Sequence, residues 1–270
     1  MATASAVAAF LPEGGTSFPL RGVFPFFSEE TRMSIRTDHE KEFISLFNSI
    51  ARGTRRIQVF TDFISCSVIA LQNGVQFCEK REKKYMAIVG RYQKEDVLSM
   101  ARLLACVVNG LEEKICDFLG RIYMLLELGD KDKEQYFTPW SVALMMAQLQ
   151  FGAQLSKPEE VFRDKPFITF AEPACGAGAM TLAFASMLRQ AGYSPHRYLW
   201  VSVTDIDPLA AGMAYIQLSL CGIPGEVVIG NALSDERRRV LLTPVHYWEG
   251  WSGRLQKHVK KPEEQSEAAA

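Results

Sequence analysis

The stretch FITFAEPACGAGAMTLAFASMLRQAG, residues 167–192, has the pattern of a short apolar strand, a turn with two glycines and a helix. Because glycine adopts backbone angles that a Cβ hinders, Gly176 and Gly178 predict a tight turn whose backbone can lie close to a ligand. The runs YLWVSVTD, PLAAGMAYIQLSLCG and EVVIGNA then follow as strand, helix and strand. This alternation predicts an α/β fold with a parallel sheet covered by helices.

Polar side chains stand at the end of each predicted strand. Glu172 precedes the glycine turn, Asp205 ends the second strand and Asn231 ends the third. Ligands of doubly wound sheets bind outside the carboxyl ends of the strands, where the strand order reverses, so we expect one shared pocket. A carboxylate can accept both hydroxyl hydrogens of a ribose, and an amide can pair with the edge of an adenine ring. The strand ends therefore predict a site for an adenosine-containing cofactor.

Two residues favour S-adenosylmethionine over NAD as that cofactor. Thr181 stands where the dinucleotide pattern GxGxxG has its third glycine. Glu172 would repel a pyrophosphate, whereas it can help to hold a cationic amino-acid group. A nicotinamide-dependent Rossmann oxidoreductase stays open as an alternative. So does a purely structural interpretation, in which the glycines only allow close packing and the acids only cap the next helix.

Composition and charge restrict the class of protein. The chain has 270 residues and a formal net charge of −1, which argues against a strongly basic nucleic-acid binder but allows a local basic face. The six cysteines form no CxxC pair, so we expect no metal site and no disulfide framework. The first residues carry no lysine or arginine before their short apolar run, which argues against a secretory signal. We expect a cytoplasmic protein without a membrane-spanning segment.

A helical pattern precedes the α/β pattern. From Asp38 to about Gly129 the apolar residues recur three and four apart, which indicates packed helices. Arginines and lysines at 52–56 and 80–84 are consistent either with a phosphate-contacting face or with a solvated helix surface. A further helix is predicted after the charged stretch at 129–135, with Thr138 as its N-cap and Pro139 as its first residue.

Four segments together resemble a known family: YFTP at 136–139, AEPACGAGAM at 171–180, VTDIDPLAAGMAYIQLSLCGIP at 203–224 and GNAL at 230–233. They resemble the cofactor-binding half of the adenine-specific DNA methyltransferases, in particular the modification subunits of type I restriction-modification systems. The resemblance covers about residues 100–235, including the helical stretch before YFTP. It implies S-adenosylmethionine as cofactor, DNA as partner and another subunit of a modification system as a further partner.

The resemblance also implies which residues bind the cofactor. The YFTP segment would close over the methionine end, the glycine turn would cradle the cofactor, and the residue after the ribose-binding acid would pack on the adenine. The implied residues are Phe137, Thr138, Pro139, Glu172, Cys175, Gly176, Gly178, Asp205, Ile206 and Asn231.

The sequence departs from the family at the residues that activate the base. Family members have a further strand that ends in Asn or Asp, two prolines and an aromatic residue, which accept the amine hydrogens and stack the flipped base. This sequence contains neither Asn-Pro-Pro nor Asp-Pro-Pro. The segment TPVHYW, residues 243–248, lacks the amide or carboxylate and follows GNAL too closely for the family's intervening strand. The resemblance therefore leaves open both a methyltransferase, with a base pocket from another subunit or from unrecognised residues, and a non-catalytic regulator or decoy.

Residues outside those motifs have simpler interpretations. We expect His246 and Cys175 to be packing residues, and Tyr247, Trp248 and Trp251 to cover the edge of the sheet.

The predicted organisation has four parts. Residues 1–35 form a loosely ordered arm, residues 36–130 a helical domain, residues 131–253 a Rossmann-like, S-adenosylmethionine-binding methyltransferase domain with an incomplete sheet, and residues 254–270 a disordered tail.

Overall fold

The computed structural model describes residues 38–129 and 137–258. The predicted N-terminal arm and residues 259–270 of the predicted tail lie outside the described residues. The described chain starts with helices and continues as a sheet with flanking helices. The first helices are α1 (His39–Ser49), α2 (Arg56–Val75), α3 (Glu79–Val89), α4 (Lys94–Glu113) and α5 (Phe118–Leu125).

Aromatic packing holds the first helices together. Phe43 of α1 meets Phe63 of α2 and Phe118 of α5 edge-on, with ring centroids 5.6 and 6.0 Å apart. All three side chains are at most 2% exposed. Burial of each such side chain contributes roughly 1.5–3 kcal/mol. Asp38 caps α1 by accepting a hydrogen bond from the Lys41 backbone N–H at 3.1 Å, which fixes where the described chain turns into helix.

The second part of the chain is built around four strands. The helices here are α6 (Trp140–Leu155), α7 (Pro158–Asp164), α8 (Ala179–Gln190), α9 (Pro195–Tyr198), α10 (Pro208–Leu220) and α11 (Pro244–Trp248). The strands are β1 (Ile168–Glu172), β2 (Leu199–Asp205), β3 (Gly225–Asn231) and β4 (Glu236–Leu242), in the spatial order β1-β2-β3-β4. Strands β1 to β3 are parallel, and β4 is antiparallel to β3. The predicted α/β fold, with a Rossmann-like sheet preceded by helices, is confirmed.

One face of the sheet is covered by helices. Leu199, Val201 and Val203 of β2 are fully buried, whereas the alternate residues of that strand are only partly buried. Phe170 of β1 stacks on Phe184 of α8, which places α8 on this covered face. The strand order does not reverse within the described residues, so the expected switch point is not found there. Instead, the carboxyl ends of β1 and β2 meet side by side.

Strand β4, which the sequence analysis does not predict, lies between GNAL and TPVHYW. A parallel strand requires a crossover of a dozen or more residues, whereas an antiparallel strand needs only a tight turn. Residues 232–235 make that turn, with Asp235 at a φ of 54°. The N-cap of α6 is also corrected by one residue, because Pro139 occupies the cap and the helix begins at Trp140.

The two parts share one core. Side chains from α1, α2, α4 and α5 join those of the sheet and its helices in one cluster of buried apolar residues. Helix α2 packs closely on α10, since a Cβ at Gly212 would lie 2.8 Å from Ile64 Cγ2. The predicted boundary near residue 130, between a helical domain and a methyltransferase domain, therefore stays a prediction.

The C-terminal residues add a further helical stretch to the described chain. Residues 251–258 are helical, so helix extends into the first residues of the predicted tail. Trp251 is fully buried, but Tyr247 and Trp248 are 48% and 45% exposed, so of the three predicted edge-covering aromatics Trp251 alone is buried. No helix of the described residues has the length and apolar character needed to cross a membrane.

Candidate functional site: the glycine turn and the strand ends

The turn after β1 has the tight backbone that its glycines predict. Gly176 and Gly178 have φ values of 55° and 93°, which side-chain-bearing residues rarely adopt. The Gly178 N–H donates to the Cys175 carbonyl at 2.7 Å, and the Cys175 N–H donates to the Thr204 carbonyl of β2 at 2.9 Å. Helix α8 then starts directly after Gly178. The turn is thus fastened to β2 and leads into a helix N-terminus.

Asp205 joins the first two strand ends. Its Oδ2 accepts a hydrogen bond from the Gly176 N–H at 2.7 Å, and its Oδ1 accepts one from the Asp207 N–H at 2.9 Å. An ionised carboxylate has about four lone-pair positions, so two remain for other donors such as hydroxyls. Burial raises the pKa of Asp205, and these backbone hydrogen bonds oppose that shift. The adjacent acid has a different role, since Asp207 caps α10 through Leu209 N.

Glu172 is a partly buried carboxyl behind the turn. Thr181 of α8, itself fully buried, donates its hydroxyl hydrogen to Glu172 Oε2. Burial raises the pKa of Glu172 to about 7; the hydrogen bonds from Thr181 oppose the shift, and the nearby Asp205 charge adds to it. A carboxyl with such a pKa is ionised readily when a cation approaches. The third position of the glycine pattern therefore carries a side chain that orients this acid.

The FTP segment contributes one side chain to the site. A Cβ at Gly176 would lie 2.9 Å from Phe137 Cδ1, so the Phe137 ring packs against the turn. The same ring meets Tyr123 of α5 edge-on, with centroids 5.1 Å apart. Thr138 and Pro139 are exposed. Phe137 thus connects α5 to the turn, while its two neighbours face solvent at the start of α6.

Ile206 and Asn231 lie at the outer side of the site. The Ile206 side chain is 60% exposed, and the Ile206 backbone carbonyl accepts a hydrogen bond from Arg238 Nη2 of β4 at 2.7 Å. Asn231 Oδ1 accepts from the Leu233 N–H at 3.0 Å, which leaves its amide NH2 for other acceptors. Asn231 also lines a cavity of about 120 Å³ with Ser202 and Thr204. The structure brings Phe137, Glu172, Gly176 and Asp205 together, and no hydrogen bond of the described residues joins Asn231 to them.

The sequence interpretation missed Gln217 of α10. This side chain is fully buried, and its Nε2 donates to the Ala177 carbonyl in the middle of the glycine turn at 2.9 Å. Its Oε1 accepts from the Leu119 N–H of α5 at 2.9 Å. The signal available in the sequence was a single amide inside the apolar stretch of α10.

His246 and Cys175, which the sequence predicts to be packing residues, take no part in a nucleophilic pair. Trp200 Nε1, which can only donate, lies 3.1 Å from His246 Nδ1, so His246 Nε2 carries the hydrogen that it shares with Ser252 Oγ at 2.9 Å. His246 therefore has no free lone pair with which to activate Ser252. Cys175 is 4% exposed, and burial raises the pKa of its thiol well above the usual value. The described residues contain no group of three or more His, Cys, Asp or Glu side chains that could hold a metal ion.

Comparison with known proteins finds fold neighbours only. No protein-family model and no curated protein matches the chain. A protein from Listeria monocytogenes, provisionally assigned as a class I S-adenosylmethionine-dependent methyltransferase, is 17% identical over 73% of this chain and 54% of its own, with a TM-score of 0.39. The methyltransferase subunit of a type I restriction-modification system from Streptococcus thermophilus is 14% identical over 69% of this chain and 55% of its own, with a TM-score of 0.33. This chain spans about half the length of each, as those 54% and 55% coverages state.

Proposed function

We propose that this chain binds S-adenosylmethionine at the glycine turn and acts in adenine-specific DNA methylation as a methyltransferase-family protein. The observation that carries the proposal is the hydrogen bond from the Gly176 N–H to Asp205 Oδ2, 2.7 Å long. It fixes a carboxylate beside a glycine backbone that has no side chain to obstruct a ligand. The cofactor, when bound, supplies an electrophilic methyl group on a sulfonium.

The residues of the turn fit the parts of that cofactor. Asp205 has lone pairs left to accept the ribose hydroxyl hydrogens. Glu172, with its pKa near 7, would ionise beside a cationic amino-acid group and hold it by charge. The Phe137 ring packs against Gly176 and would exclude water from this end of the pocket.

The same residues disfavour the nicotinamide alternative. A dinucleotide site leaves the helix N-terminus after the glycine turn free for a pyrophosphate. Here Thr181 of the first turn of α8 donates to Glu172, so a carboxylate stands close to that N-terminus. A second anion there would meet like-charge repulsion. We therefore propose S-adenosylmethionine and not NAD.

DNA is proposed as the partner on the basis of the family resemblance and of charge beside the pocket. Arg238 reaches the Ile206 carbonyl next to the proposed ribose-binding acid. Arg239 bonds to the neutral amide of Gln72 at 3.0 Å, and burial and the nearby Arg81 charge both lower its pKa. Arg239 of β4 and Arg81 of α3 lie close enough for their charges to interact, and such a pair of arginines suits phosphate groups.

A second chain is proposed as the source of the base-activating residues. Helix α6 contains no charged residue, and its exposed side follows a helical stripe of apolar side chains. The members of that stripe are Val142, Met145, Met146 and Leu149, exposed by 37 to 78%. Helix α6 meets β1 through Phe151, whose ring lies 6.1 Å from that of Phe170, and among the described strands β1 pairs only with β2. An uncovered strand edge next to an apolar helix is suited to another subunit.

A non-catalytic role is the second candidate. The chemistry of amine methylation needs acceptors for the amine hydrogens and a ring on which the base can stack, and the sequence lacks the family's motif for both. On this alternative, the chain binds cofactor or DNA and regulates a modification system without transferring a methyl group.

Two measurements on the full chain separate these functions. Isothermal titration with S-adenosylmethionine, S-adenosylhomocysteine and NAD tests the pocket; binding of NAD alone would refute the cofactor assignment. Transfer of a labelled methyl group to adenine-containing duplex DNA, with and without candidate subunits, tests catalysis. Cofactor binding with transfer supports the methyltransferase, whereas binding without transfer under every condition supports the regulator.

A further inference from the structure

Gln217 is the only described side chain that hydrogen-bonds both the glycine turn and the N-terminal helices. Its Nε2 donates to the Ala177 carbonyl and to Asp117 Oδ1, each at 2.9 Å, and its Oε1 accepts from the Leu119 N–H at 2.9 Å. Leu119 N–H can only donate and the Ala177 carbonyl can only accept, so this network fixes the orientation of the amide. The three partners lie 98, 100 and 40 residues away in the sequence.

The network is shielded from solvent. Gln217 is fully buried, and Asp117 and Ala177 are each 1% exposed. Asp117 Oδ1 also accepts from the Gly120 N–H at 2.9 Å, and Asp117 is the N-cap of α5. An unpaired polar group at this depth would be costly, so each member of the network holds the others in place.

The network acts on the middle of the glycine turn. Ala177 lies between the two glycines with positive φ, and glycine backbones have many accessible conformations. The peptide after Ala177 is held on both sides, because its carbonyl accepts from Gln217 and its N–H, that of Gly178, donates to Cys175. Without Gln217 the first of these restraints is lost, and the turn gains alternatives that do not bind.

We propose that Gln217 is a positioning residue for the cofactor turn and that, through Asp117, it makes cofactor affinity depend on the N-terminal helices. This inference rests on the proposed binding of S-adenosylmethionine. It assigns to the helices before the sheet a part in shaping the pocket.

The test compares three variants by titration with S-adenosylmethionine at a temperature where each is folded. Gln217→Met removes the amide with little change in volume, and Asp117→Ala removes its helical partner without touching the turn. The control, Asp62→Asn, weakens another buried network, in which Asp62 accepts from Arg91 at 2.8 Å and from Tyr92 at 2.7 Å. None of the hydrogen bonds of Asp62 reaches the turn.

We expect Gln217→Met to raise the Kd about tenfold or more, as the loss of a buried hydrogen bond predicts. Asp117→Ala should raise it in the same direction, and Asp62→Asn should lower the melting temperature but leave the Kd within about twofold. Unchanged Kd values for both network variants, at reduced stability, would show that Gln217 is structural only and would overturn the inference.

A second measurement separates failure of this inference from failure of the proposed function. Hydrogen exchange in residues 173–180 should accelerate in Gln217→Met and Asp117→Ala but not in Asp62→Asn. If the wild-type chain binds no S-adenosylmethionine, the proposed function fails, and exchange still reports whether the network holds the turn. If exchange in the turn is unchanged in both network variants, the inference fails whatever the cofactor. Should Gln217→Met not fold, Asp117→Ala carries both measurements.

Discussion

Replacing Asp205 by Asn tests whether this carboxylate both fixes the turn and binds the cofactor. Asn keeps the size but offers one acceptor oxygen and one NH2 group, whereas Asp205 accepts from two backbone N–H groups at 2.7 and 2.9 Å. One N–H would then face an amide NH2, which costs about 1–3 kcal/mol of stability. Loss of a hydrogen bond to an ionised acceptor costs about 1.5–3 kcal/mol of binding, or roughly 10- to 150-fold in Kd for S-adenosylmethionine.

Asp207→Asn is the matched control two residues away. Asp207 accepts from the Leu209 N–H at the start of α10, and Asn caps helices about as well as Asp. Its stability should therefore change by less than about 1 kcal/mol, and its Kd should stay close to that of the wild type. Urea unfolding and isothermal titration measure the two quantities. An Asp205→Asn protein that binds with wild-type affinity, or equal losses in both variants, would refute the assigned role of Asp205.

Three further predictions concern pH and packing. Affinity for S-adenosylmethionine should rise between pH 6 and pH 8, because Glu172, with a pKa of about 7, holds a cation only when ionised. Isothermal titrations of Glu172→Gln should show no such rise in affinity. An equal rise in this variant would exclude Glu172 as the source of the pH dependence. Burial lowers the pKa of His246, so the native state binds this proton more weakly than the unfolded chain, whose imidazole has a pKa of about 6.5. This part of the stability is fully present above that pH and is lost as the pH falls below it, since protonation of Nδ1 breaks the hydrogen bond from Trp200. The urea midpoint of the wild type should therefore fall more between pH 8 and pH 5 than that of His246→Gln. Equal falls in the two proteins would contradict this. Gly230→Ala should destabilise the chain by about 1–3 kcal/mol, because its Cβ would lie 1.9 Å from a backbone carbonyl oxygen of β4, whereas Gly74→Ala, in open space on α2, should be neutral or slightly stabilising in thermal unfolding.

Several elements were predictable because their signals are local. The strand, glycine turn and helix around Gly176 follow from residue types that are adjacent in the chain, as do β2, α10 and β3. The periodicity of apolar residues and the glycines that allow a positive φ each involve only a few neighbouring residues, so both can be recognised in a single sequence. The roles of the ten implied cofactor-binding residues stay predictions; the structure adds that Glu172, Gly176 and Asp205 lie close together.

Strand β4 was missed because its pattern is atypical. Residues 236–240 are all exposed, and three of them are consecutive arginines, which carry no alternation of apolar and polar side chains. The strand forms because the backbone of β3 offers a hydrogen-bonding edge and a short turn returns the chain to it. Pairing with an existing strand, and not the side-chain pattern, determines this element.

The sequence by itself determined the order of strands β1 to β3, the tight turn and the acids at the strand ends, because each depends on residues within one segment. Only the tertiary structure decided that Asp205 accepts from Gly176, that Thr181 donates to Glu172, and that a buried amide at Gln217 ties the turn to α5. Those contacts join residues from 9 to 98 positions apart. A hydrogen bond requires two groups at a defined distance and angle, and packing of α5, α8 and α10 around the turn sets that geometry.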